Sequence, residues 1–146
     1  MFPNFVLLFL LNSNNEILLL RRINTPFCNN YYCLPGTKIE PGQDAKSALM
    51  ADAIATFGIK FACKDIEFLH VMHRKCNEPE FFACVFKIMN FEGKPINLDL
   101  KRYDDLKWFP INKLPLNIVD AHKQAIHMIK DGINYSQHGW EKLDRK

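Results

Sequence analysis

The sequence predicts an α+β fold in which a mixed β-sheet lies between helices. Three observations carry this. Two apolar stretches, Phe5–Leu11 and Glu16–Arg22, flank the turn-forming run Asn12-Ser13-Asn14-Asn15, which is the pattern of a β-hairpin. Two later segments, about 45–57 and 117–130, repeat apolar residues at helical spacing, and each ends at a glycine. Between them lie two further β-type runs, Asp65–Arg74 and Glu80–Asn90. The order strands, helix, strands, helix defines the class.

Each element has a local cause. After the hairpin, Asn24–Asn30 is polar and reads as a loop, and Tyr31-Tyr32-Cys33-Leu34 is a short strand leading into the Pro35-Gly36 turn. Gly42-Gln43-Asp44 closes the next loop. Asp44 is a good N-cap, because its carboxylate accepts from the free N–H groups of a first helical turn. The helix over 45–57 presents Ala45, Ala48, Leu49, Ala53 and Phe57 on one face, and Gly58 stops it. The two strands that follow are joined by Lys75-Cys76-Asn77-Glu78-Pro79. Glu92-Gly93-Lys94-Pro95 is a turn, Leu106–Phe109 a short strand, and Pro110–Pro115 a loop. The C-terminal helix over 117–130 turns Ile118, Ala121, Ala125, Ile126 and Ile129 inward. The tail Tyr135–Trp140 carries two aromatics and is expected to fold back on the rest.

Composition narrows the function classes. A chain of 146 residues with 48% hydrophobic residues and 12 phenylalanines is expected to form one domain over 1–146, long enough to bury a substantial core. The net charge of +3 is mild and its lysines and arginines are scattered, so a nucleic-acid partner is not expected. Five cysteines without a Cys-x-x-Cys pair argue against a disulfide framework or structural zinc; free thiols suit the cytoplasm. Phe5–Leu11 is too short to span a membrane and lacks the charged start of a signal peptide.

The chemistry concentrates between Leu34 and Ile59. Leu34-Pro35-Gly36-Thr37-Lys38-Ile39-Glu40-Pro41-Gly42, the helix after it and the closing Gly58-Ile59 together resemble the signature of the Nudix family. That signature is Gly, five residues, Glu, seven residues, then Arg-Glu-aliphatic-x-Glu-Glu-x-Gly-aliphatic. Gly36 is read as its first glycine, which puts the box at 36–59. Glu16–Arg22 resembles the family's second strand. Val71-Met72-His73-Arg74, Leu106–Pro110 with Leu114-Pro115, and the Tyr-Ser-x-x-Gly-Trp ending resemble one bacterial subgroup. The resemblance implies an α/β/α sandwich and a Mg²⁺- or Mn²⁺-dependent hydrolysis of a nucleoside diphosphate linked to another group.

The acids of the signature are mostly replaced. Gln43 stands for the first glutamate, Ala51 for the arginine, Asp52 for its neighbouring glutamate, and Ala55 and Thr56 for the paired glutamates. Positions 52, 55 and 56 share a helix face, where three carboxylates would gather hard cations. Here that face offers one, a methylene shorter than glutamate. The expected protein is therefore a nucleotide-type pyrophosphohydrolase fold with weak or lost activity and a retained pocket for a small nucleotide-like ligand. Two alternatives are an active diphosphatase with a rebuilt metal site and a protein-interaction module.

The residues proposed for these roles follow from the resemblance. Asp52 and Glu40 are the catalytic candidates. Arg22, Gly36, Thr37, Lys38 and Arg74 are the substrate contacts, since guanidinium groups match phosphate oxygens. Asp52, the Gly36 backbone and Glu78 or Glu80 are the metal ligands, with Mg²⁺ or Mn²⁺ needed if the protein is active and no cofactor otherwise. His70 and His73, three apart on a strand, face opposite sides and form no joint metal site. A homodimer is compatible with the sequence.

Overall fold

The computed structural model describes residues 4–76 and 80–140. Eight strands and two helices run in the order β1 (Asn4–Phe9), β2 (Glu16–Arg22), β3 (Tyr32–Cys33), β4 (Gly36–Ile39), α1 (Ala45–Phe57), β5 (Ile66–Arg74), β6 (Phe81–Ile88), β7 (Tyr103–Pro110), α2 (Asp120–Lys130) and β8 (Tyr135–His138). A mixed five-stranded sheet has the order β4-β1-β6-β5-β8, and a three-stranded sheet the order β3-β2-β7. This is an α+β sandwich.

The continuous apolar runs of β1 and β2 now have a reason. Both strands are covered on two faces, so neither shows alternation. Val6, Leu8, Leu18 and Leu20 pack with Leu49, Ala53 and Phe57 of α1. Leu7, Phe9, Ile17 and Leu19 point the other way and pack with Ile126 of α2. Each such side chain contributes about 1.5–3 kcal/mol on full burial, so α1 and α2 are held against opposite faces of one shared framework.

The predicted caps of α1 form. Asp44 accepts from the Ser47 N–H at 3.0 Å, and Gly58 takes the left-handed conformation at φ 72°, as helix C-termini favour. The C-terminal helix begins later than predicted. Residues 117–119 are drawn into pairing with β3, where the Tyr32 N–H donates to Asn117 and the Val119 N–H to Tyr32. Residues 36–39, expected to be loop, form β4 antiparallel to β1. Glycine is required there: a Cβ on Gly36 would lie 2.5 Å from the Val6 carbonyl oxygen. β7 begins three residues before the expected segment.

The tail folds back, as a strand. β8 pairs parallel with β5, and each residue of its motif has a task. The Ser136 hydroxyl meets Nε2 of the fully buried His70 at 2.7 Å, while His70 Nδ1 lies 2.8 Å from the Ile133 carbonyl. Trp140 donates from Nε1 to the His73 carbonyl at 3.0 Å and packs on the His73 ring, which stacks on Phe82. Gly139, at φ +93°, leaves room for the Lys75 carbonyl 1.9 Å from where a Cβ would sit. Gly139→Ala is therefore expected to cost about 2–4 kcal/mol, from backbone strain and overpacking. A thermal melt would show the loss, with Trp140 emission moving to the red; an unchanged melt would remove the tail from the folded unit.

Candidate functional site

The face of α1 that interests the chemistry is shaped by the segment after β6. The Ile96 N–H donates to the Phe57 carbonyl and the Leu98 N–H to the Thr56 carbonyl. These bonds satisfy carbonyls that a helix C-terminus would otherwise leave open, and they dock residues 96–102 against the end of α1. That docking brings Asp99 and Arg102 to Asp52.

Asp52 is half-buried. Its Oδ1 accepts from the Thr56 hydroxyl at 3.0 Å, and its Oδ2 is buried with no partner among the described residues. Burial pushes its carboxyl above the usual range. The Thr56 hydrogen bond and the Arg102 charge oppose this shift, and the Asp99 charge adds to it. Arg102 pairs with Asp99, Nε to Oδ2, at 2.5 Å. Burial opposes the guanidinium charge of Arg102, but the Asp99 hydrogen bond together with the charges of Tyr103, Asp99 and Asp52 outweighs it, and its pKa is raised. Ala51 and Ala55 lie exposed beside them. A second carboxylate near Asp52 therefore exists, but it is neutralised internally. Sequence reasoning missed Asp99 because its proximity is made by backbone bonds to the helix end, which no spacing reveals.

The donor set does not fit a multi-metal centre. Among the described residues no three His, Cys, Asp or Glu side chains converge to hold a metal ion. Asp52 offers one unengaged oxygen, and a cation there would compete with Arg102. Since burial disfavours the charge on Asp52, the uncharged Asp52→Asn is expected to raise the thermal midpoint by removing a desolvated charge. A lowered midpoint at neutral pH would show the carboxylate to be satisfied.

The other expected site residues are placed as follows. Glu40 is exposed on the loop before α1, where its N–H donates to Gln43 Oε1 at 3.2 Å, and it is not among the groups acting on Asp52. Glu80 pairs with Lys75 at 3.7 Å and likewise does not act on Asp52. Glu78 lies outside the described residues. Lys38 is exposed and Thr37 half-buried, both on β4. Gly36 is pinned against β1 by packing. Its assignment in the motif also shifts: counting back from Gly58-Ile59 through the signature's spacers puts the first glycine at Thr37 and leaves Gly36 as the residue before it.

The arginines separate. Arg21 is drawn to Asp104, Nε to Oδ1 at 2.7 Å, away from the others. Arg22 donates from Nε to the Phe27 carbonyl at 3.1 Å and so ties down the loop after β2. Arg74 lies over the Phe81 ring and donates from Nη2 to Cys76 Sγ at 3.4 Å, with its Nε buried and without a partner among the described residues. Arg22 and Arg74 converge electrostatically on His122. Burial pushes His122 down to about 3, and both guanidinium charges and His138 push the same way. His122 Nδ1 accepts from the Leu34 N–H at 2.9 Å, fixing the backbone that leads into Pro35-Gly36. Cys33, between these groups, is pushed up to about 11 by burial, which makes it a poor nucleophile at neutral pH. Three aromatics nearby are engaged within the fold: Tyr32 is buried with its hydroxyl on Asp105, Phe81 packs on Phe5, and Phe82 stacks on His73.

Two shallow hollows lie on the surface of the described residues. One of about 240 Å³ lies between residues 111–116 and α2, and one of about 640 Å³ lies around Lys60, Phe61, Phe91 and Glu92. Neither is lined by Arg22, Asp52 or Arg74.

Comparison with known proteins agrees with the architecture. A family model described as the NUDIX domain matches residues 1–130, so the chain belongs to the Nudix family. A search of curated proteins finds no match. Among solved structures, the MutT NUDIX hydrolase from Burkholderia pseudomallei aligns with a TM-score of 0.77 at 22% identity, covering 86% of this chain and 95% of that one. The MutT protein from Methanosarcina mazei Go1 aligns with a TM-score of 0.76 at 17% identity, covering 88% and 93%. A UDP-X diphosphatase aligns with a TM-score of 0.62 at 17% identity, covering 93% and 67%. These similarities extend to the fold. No helix of the described residues is long and apolar enough to cross a membrane.

Proposed function

We propose that this Nudix-family chain binds a small nucleotide-like ligand without hydrolysing it at a useful rate. The observation that carries the reading is the state of the α1 face. Positions that the signature fills with arginine and three glutamates hold Ala51, Asp52, Ala55 and Thr56. Asp52 is bonded to Thr56, and the nearby Asp99 is closed off by Arg102. Family members generally draw on divalent metals to neutralise a diphosphate and activate water. The donors among the described residues form no metal-holding cluster. The reading of ligand binding is supported by positive charge: Arg22 and Arg74 act on one buried point beside Leu34, and neither is in an ion pair among the described residues. A fork donor of this kind suits a phosphate oxygen.

Thermal-shift assays with nucleoside di- and triphosphates and sugar nucleotides test this. Stabilisation that persists in EDTA and falls on Arg74→Ala is the expected result. No shift across the panel would contradict the reading. We place the protein in the cytoplasm on its free thiols.

A further inference from the structure

The hollow between residues 111–116 and α2 has a lining unlike the rest of the surface. Its charged and titratable members are Lys113, Lys123, His127 and Lys130, and no carboxylate lines it. Lys130 is held by Asn112 Oδ1 at 2.5 Å. None of the three lysines is in an ion pair among the described residues. The apolar wall is Ile111, Leu114, Pro115 and Leu116, and Leu116 is fully exposed at 103%.

We propose that this hollow docks an acidic segment of a partner protein, with an aliphatic side chain seated against Leu114, Pro115 and Leu116 and carboxylates meeting the lysines. The spacing selects the class of ligand. Lys123, His127 and Lys130 follow one stripe of α2 at i, i+4 and i+7, a rise of about 10 Å. A single phosphate reaches only one end of that stripe. An extended peptide advances about 3.3 Å per residue, so carboxylates three positions apart, about 10 Å, meet Lys123 and Lys130. A single-stranded nucleic acid could follow the same charges, but no aromatic side chain lines the hollow to stack a base, and the apolar wall would go unused. A second copy of this chain would bring like charge. The site is separate from the α1 face, so the proposal does not depend on the ligand reading above.

The test uses the full chain and a fluorescein-labelled peptide, Glu-Asp-Leu-Glu-Leu-Asp-Glu. Three controls accompany it: its Lys-for-acid counterpart, its Ser-for-Leu counterpart and oligothymidylate. Amide shifts in a ¹⁵N correlation spectrum are expected to cluster at 111–116 and 123–130. The pair Lys123→Glu with Lys130→Glu is expected to weaken binding at least tenfold, Leu116→Ser to weaken it severalfold, and Lys46→Glu on α1 to leave it unchanged. Thermal melts verify that each variant folds. Absence of shifts at these residues, equal binding of the Ser-for-Leu peptide, or tighter binding of oligothymidylate would each overturn the proposal.

Discussion

The natural chain, given nucleoside triphosphates, sugar nucleotides or dinucleoside polyphosphates with Mg²⁺ or Mn²⁺, should release no phosphate or pyrophosphate above the blank. The chain carrying Gln43→Glu, Ala51→Arg, Asp52→Glu, Ala55→Glu and Thr56→Glu should gain metal-dependent turnover. Three glutamates at 52, 55 and 56 would share the face that Asp52 occupies alone, and Asp99 already stands beside it. Charge stabilisation by a bound metal is worth several kcal/mol, and each 1.36 kcal/mol is tenfold in rate, so the expected gain is at least about a thousandfold. Thr56 is buried, so the restored chain must first be shown to melt cooperatively; a version keeping Thr56 serves as a second variant. Turnover by the natural chain that Asp52→Ala abolishes would contradict this and establish a rebuilt site around Asp52 and Asp99.

Acid should destabilise the protein through His122. The imidazole is buried on α2 and accepts the Leu34 N–H, which requires Nδ1 to be unprotonated. Burial pushes its pKa to about 3 from 6.5. Below about 6.5 the unfolded chain takes up a proton that the native chain refuses until about 3. In that window the unfolded state binds more protons, so stability rises with pH and is lost as pH falls. The slope from this one group is about 1.4 kcal/mol per pH unit. Denaturant titrations between pH 7 and 4 should show it. His122→Gln should be less stable at neutral pH yet lose that share of the slope, and identical slopes would place the acid sensitivity elsewhere.

Much of the fold was legible because its causes are local. The Asp44 cap, the Gly58 stop and the apolar runs of β1 and β2 each announce themselves within a few residues. The helix start at 120 was not legible, because pairing of 117–119 with β3 is a tertiary event. Nor was β4, whose strand character comes from a close approach to β1 that only Gly36 permits. The site was half legible. The substitutions at 43, 51, 52, 55 and 56 can be read in sequence, and so can the candidacy of Arg22 and Arg74. The pairing of Asp99 with Arg102 beside Asp52 cannot, nor can the role of His122. Both depend on where distant segments dock. Glu40 and Glu80, proposed as compensating acids, sit where the loops leave them, exposed or paired with Lys75.

The most direct test of the central claim is a calorimetric titration of one nucleoside diphosphate into the protein, first in EDTA and then in excess Mg²⁺. Equal affinity in both buffers, with a flat baseline after the last injection, is the result expected of a chain that binds through Arg22 and Arg74 without a metal. Binding seen only with Mg²⁺, or a continuing heat of hydrolysis after each injection, would contradict it.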